Sequence, residues 1–190
     1  MIKRLSWLAI LLLTGCVTHQ VSQHKVAVPA KLSFANQEYQ LSKTDDLGSV
    51  VKYTYQLIDT NSNKHSHLEI FQDLQQDFAK TDANYQQRIT LREKMFARSD
   101  IKVFSNQPKD GNLYSYVVYP PAEQFTDYQV DVAKGGNLAS CGFVQLQYSE
   151  QFAPVKSSTM TVLKKLEQQQ ALPLMKTMTQ YSLLWSCNEK

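Results

Sequence analysis

The chain has 190 residues, 43% of them hydrophobic and 19% charged, and its 20 basic and 17 acidic side chains give a formal charge of +3. That length suits one domain of ordinary size. Basic and acidic residues are mixed, and the absence of a basic stripe that would track a phosphate backbone argues against nucleic acid as a partner.

At the start, Met1-Ile2-Lys3-Arg4 is a short basic head, followed by an apolar run from Leu5 to Leu13 broken only by Ser6. The run is too short for a membrane-crossing helix, which needs about 20 apolar residues, and it has the length and flanks of a signal-peptide core. It ends in Leu13-Thr14-Gly15-Cys16, which resembles the lipobox of bacterial lipoproteins. The resemblance covers residues 1–16 alone. It implies diacylglycerol on the Cys16 thiol, cleavage after Gly15, acylation of the new amino terminus and residence in the cell envelope, since two or more chains hold a protein stably on a membrane. In such lipoproteins Asp directly after the lipidated cysteine tends to retain the protein in the inner membrane. Val17 stands there in this chain, which implies the outer membrane, facing the periplasm. Loss of Lys3 and Arg4 with the signal leaves a nearly neutral mature chain.

With Cys16 assigned to lipid, two of the three cysteines remain, Cys141 and Cys187. An oxidising periplasm favours a disulfide between them. Free buried thiols, or a catalytic Cys141 served by a histidine, are the other roles open to them. The histidines are His19, His24, His65 and His67, and nothing in the sequence marks one as such a partner.

Residues 16–33 show no sustained period and contain Pro29, so they read as the lipidated cysteine and a flexible tether. The domain is expected over 34–190. A weak strand is expected over 34–41. Val51, Tyr53, Tyr55 and Leu57 alternate with polar residues as a half-buried strand does. The turn formers of Asp59 to Asn63 lead to a return strand over 67–72. From Asp82 to Arg98 the spacing predicts a helix, with Tyr85, Ile89, Arg92 and Phe96 on one face and Leu91 and Met95 widening its apolar side. Strands over 101–105 and 113–119 flank Pro108-Lys109-Asp110-Gly111-Asn112, a hairpin signal, and Pro120-Pro121 ends the second. Another hairpin is expected over 125–148, turning at Gly135-Gly136-Asn137. After Pro154, Ser157 or Ser158 can cap a helix to about Gln170, with Met160, Val162, Leu163 and Leu166 inside. Pro173 then restarts the chain, and 174–187 suit either a helix or a closing strand. The fold class expected is α+β, a mainly antiparallel sheet with two or three helices packed on one face.

Few constellations suggest chemistry. His65 and His67 share a strand face, but no third ligand stands at a suitable spacing, so no metal site is assigned. Ser99-Asp100-Ile101-Lys102 matches Ser-x-x-Lys without the companion motifs of the penicillin-binding enzymes, and is read as coincidence. Seven tyrosines fall on expected strands: Tyr53, Tyr55, Tyr114, Tyr116, Tyr119, Tyr128 and Tyr148. Of these, Tyr114, Tyr116, Tyr119 and Tyr128 are the candidate binding surface for a glycan or protein, with cross-strand core packing as the alternative. No catalytic residue and no cofactor is assigned. The sequence therefore reads as an anchored binding or assembly module of the envelope, partnered by a membrane through its lipid and by an envelope protein or glycan. A hydrolase acting on peptidoglycan or lipid, and a carrier of a small apolar ligand, are the alternatives.

Overall fold

The computed structural model describes residues 24–59, 65–74, 82–97, 103–138, 141–182 and 186–187. Eight strands form one antiparallel sheet: β1 (Lys31–Phe34), β2 (Gln37–Asp46), β3 (Val50–Leu57), β4 (His65–Asp73), β5 (Val103–Lys109), β6 (Asn112–Tyr119), β7 (Tyr128–Leu138) and β8 (Gly142–Phe152). Their order is β1-β2-β3-β4-β8-β7-β6-β5. Two tight turns set the outer hairpins. Ala35 and Asn36 join β1 to β2, Asp110 and Gly111 join β5 to β6, and in each pair both residues have positive φ, as a two-residue hairpin turn demands.

The sheet is strongly curled. Phe34 on β1 and Tyr148 on β8 are separated by three strands, yet their ring centroids lie 4.9 Å apart. In a flat sheet those strands would stand roughly 19 Å apart at the usual spacing of about 4.8 Å. The result is a half-barrel. Its concave face collects the alternate residues Tyr53, Tyr55, Leu68, Ile70, Leu146, Tyr148, Val130 and Val132 into the main core.

The helical segments do not share one face of this sheet, so the expected α+β arrangement is corrected to a mainly-β half-barrel. The helix α1 (Asp82–Ala97) lies on the convex side, where Tyr85 and Ile89 form a small cluster with Leu113 and Phe143. A continuous helix closes the concave side, running through α2 (Thr159–Leu166), a π-helical stretch (Glu167–Ala171) and α3 (Leu172–Gln180). Ser158 Oγ caps it by accepting from the amide of Thr161 at 3.3 Å. Val162, Leu163, Ala171 and Met178 enter the main core, whereas Met160 is exposed. Pro173 does not restart the chain. The wide π turn just before it absorbs a residue that donates no amide hydrogen, and the helix runs on.

Gly135-Gly136-Asn137 is not a turn either; all three lie inside β7. A Cβ on Gly135 would fall 2.4 Å from the Phe143 ring, so glycine is there to let the aromatic ring lie across the strand. On α1, Leu91 and Met95 face outward and do not widen the apolar side.

The described fold begins before Phe34, within the segment expected as a tether. Val26 is buried and bridges to Cys187, and its amide donates to Gln72 Oε1 at 3.0 Å. Cys141 and Cys187 are disulfide-bonded, with Cα atoms 5.8 Å apart. No described helix is long and apolar enough to cross a membrane.

Candidate functional site

The convex face of the sheet is polar wherever α1 leaves it uncovered. Register places Gln129 and Asp131 of β7 beside Gln151 and Ser149 of β8, and His67 and Glu69 of β4 beside Ser149 and Gln147. Tyr119, at the end of β6, pairs with Gln129 on the same face. Beyond Tyr119, Pro120-Pro121 releases the chain from the sheet, and it folds back in a short turn. Ala122 and Phe125 hold that turn by exchanging two backbone hydrogen bonds of 2.9 and 2.8 Å. The turn carries Phe125 out on the rim, 63% exposed. Between rim and sheet lies a cleft of about 410 Å³ lined by Tyr119, Gln124, Phe125, Asp127, Gln129, Asp131 and Gln151, among others.

Asp131 forms the floor and is only 8% exposed. Its Oδ1 accepts from Gln129 Nε2 at 2.7 Å and its Oδ2 from Gln147 Nε2 at 3.0 Å. Burial outweighs the lowering effect of hydrogen bonds from Gln129 and Ser149 and pushes its pKa up to about 6. Burial also raises the Tyr119 phenol, with the Asp131 charge adding to the effect. Gln147 connects the floor to α1, since its Oε1 lies 3.5 Å from Gln145 Nε2, and Gln145 Oε1 accepts from Arg92 Nη2. Arg92 Nη1 also donates to Ser115 Oγ at 3.0 Å. Burial, reinforced by Arg88, brings the Arg92 guanidinium down to about 10.

A second, shallower groove of about 560 Å³ adjoins the cleft at Gln151 and is lined by Lys52, His65, His67 and Glu69, among others. The two histidines share a face as their spacing requires. Glu69, however, pairs with Lys52 Nζ at 3.1 Å, and burial lowers the His67 pKa. Among the described residues no group of three histidine, cysteine or acidic side chains could hold a metal ion.

The four candidate tyrosines fall into three surroundings. Tyr119 lines the cleft. Tyr114 and Tyr116 lie on the concave face beside a pocket of about 180 Å³ that Leu172 and Met175 also line. There the Tyr116 hydroxyl donates to Glu167 Oε1 at 2.7 Å, and burial with that carboxylate raises its pKa to about 12. Tyr128 is buried in the core. Tyr53, Tyr55 and Tyr148 are core residues too. Ser99 to Lys102 and Cys16 lie outside the described residues. Sequence reasoning missed Asp131, Gln129, Gln151 and Phe125. The period of two does put Asp131 on the outer face, but nothing in it distinguishes a carboxylate buried under amides from a solvated one.

A family model matches residues 26–183, and it starts at the residue that bridges to Cys187. The chain belongs to this family. It is also 32% identical over 165 residues to an "Uncharacterized protein" of Haemophilus influenzae, an alignment covering 83% of this chain and 82% of that protein. No solved structure matches.

Proposed function

We propose that the protein is a lipid-anchored module of the bacterial envelope, held in the outer membrane by Cys16 and facing the periplasm, whose task is binding. The observation that carries this reading is the polarity of the domain. Val26, Cys141 and Cys187 meet at one end of β8, and the cleft lies at the other, beside Gln151. The 11 residues of β8 separate them, a distance of about 33 Å at roughly 3.3 Å per residue. A lipid upstream of Val26 therefore joins the domain at the disulfide end, and the cleft opens at the end away from the membrane. A disulfide also suits an oxidising compartment. The cleft supports recognition better than catalysis, because among its described lining residues no histidine, cysteine or basic side chain stands beside Asp131 to complete a nucleophile and base.

Metabolic labelling with an alkynyl fatty acid tests the anchor. The full chain should be labelled and should sediment with outer-membrane vesicles, while Cys16→Ser should be unlabelled and lose the membrane. A wild-type chain that stays unlabelled and soluble would sink the proposal.

A further inference from the structure

We propose that the cleft beside Asp131 binds a neutral, hydroxyl-rich glycan chain. The inference rests on the binding reading above but does not need the anchor. The cleft's volume falls within the usual range for small-ligand sites, about 300–1,000 Å³.

The lining chemistry narrows the ligand. Gln124 and Gln151 each carry donors and an acceptor, and Gln129 keeps its carbonyl and a second N–H beside the one given to Asp131, which matches sugar hydroxyls that both donate and accept. Tyr119 and the exposed Phe125 supply ring surface for the C–H faces of a sugar. Asp127 and Asp131 add acceptors, and no described lysine, arginine or histidine lines the cleft to attract an anion. Phosphorylated and polyanionic ligands are therefore disfavoured, and an apolar ligand would strand the amides without partners.

Geometry disfavours a peptide as well. The cleft floor belongs to β7 and β8, which are interior strands hydrogen-bonded on both sides. An extended peptide would find no open ladder to join there and would lose the main-chain pairing that such recognition relies on. Asp131 in turn holds the amide groups of Gln129 and Gln147 in place, so the floor is ordered before a ligand arrives.

The test uses the detergent-solubilised full chain and titrates it by calorimetry with linear tetramers of glucose and of N-acetylglucosamine. Saturable binding of at least one tetramer is expected. Phe125→Ala and Gln151→Ala should each weaken it about tenfold with thermal unfolding unchanged, and Leu91→Ala, on the outer surface of α1, should leave it intact. Binding that survives both cleft variants would place the glycan elsewhere and overturn the site. If neither tetramer binds, while chemical crosslinking through the thiol of Phe125→Cys captures an envelope protein, the glycan proposal fails and the binding reading stands. If neither occurs, both fail.

Discussion

Gln72 donates its side-chain amide to the carbonyl oxygen of Cys141 at 2.9 Å, so a fully buried side chain of β4 fastens the half of the disulfide that precedes β8. The same amide nitrogen donates to His24 O at 2.9 Å, and Gln72 Oε1 accepts from Val26 N at 3.0 Å. One glutamine thus ties the first described residues to the covalent clasp. Gln72→Ala removes both donors and the acceptor and leaves buried backbone groups unpaired. It should cost about 2–4 kcal/mol, read as a lower urea midpoint at unchanged slope. Reduction of the 46-residue disulfide loop should cost roughly 4 kcal/mol in the chain-entropy model. The two losses should add to less than their sum, because Gln72 holds a segment that the disulfide also holds. Strict additivity would show that they stabilise the domain independently.

Arg92 is one of the polar links between α1 and the sheet, beside the Arg88–Asp73 ion pair at 3.0 Å and the Tyr85 hydroxyl that donates to Gly111 O. Arg92 donates to Ser115 and Gln145, while among the described residues Tyr85 and Ile89 pack on Leu113 and Phe143, and the Phe96 ring lies 4.8 Å from that of Phe104. Arg92→Met keeps the stem and removes the fork, leaving two buried oxygens without that donor. A loss of about 1–3 kcal/mol is expected in chemical denaturation. Arg92→Lys should recover only part of it, since one ammonium cannot reproduce the planar fork.

Asp131 predicts a pH dependence of stability. Its pKa is raised from 3.8 to about 6 in the fold, so between these values the folded protein holds a proton that the unfolded chain has released. The stabilising contribution is complete below about pH 4 and is lost as pH rises through 6, amounting to roughly 2–3 kcal/mol. Asp131→Asn cannot titrate. The unfolding free energy of the native protein minus that of Asp131→Asn should therefore fall between pH 4 and 7 and then level off. A flat difference over that range would mean that Asp131 keeps its charge throughout.

Much of the sheet is legible in the sequence because its signals are local. The alternation of Val51, Tyr53 and Tyr55, the turn formers at Asp110-Gly111 and the Ser158 cap act within a few residues of themselves. The Cys141–Cys187 bond is legible from the count of cysteines once the lipobox resemblance sets Cys16 aside. What escapes is decided by partners distant in sequence. The hydrophobic stripe of α1 shows that one face is buried but not which side of the sheet buries it. Pro173 reads as a stop because the π turn that accommodates it has no sequence signature. The tyrosines read alike, yet Tyr119 stands on the convex face at the cleft and Tyr128 on the concave face, which the curl of the sheet turns into the core. The floor of the cleft escapes for a similar reason, since Asp131 needs Gln147 from the neighbouring strand to become a buried carboxylate.

Gly135 and Phe143 give the sharpest test of that distinction between local and distant causes. If Gly135 served a turn, Gly135→Ala would matter through backbone conformation alone. The structure instead makes the cost steric, because a Cβ would lie 2.4 Å from the tip of the Phe143 ring and 3.2 Å from Gln145 Cβ. Phe143 is itself pinned, with Tyr85 packed edge-on at 6.4 Å and the Arg88 guanidinium 4.0 Å from its ring centroid. The ring cannot yield without disturbing α1, and Gly135→Ala should destabilise the domain by about 1–3 kcal/mol. Phe143→Leu removes the ring atoms that clash and should itself cost on the order of 1 kcal/mol or more through lost packing. In the double variant the alanine penalty should largely vanish, giving a favourable coupling of at least about 1 kcal/mol in a double-mutant cycle. Simple additivity of the two changes would mean that the glycine is required by its backbone and not by the ring above it.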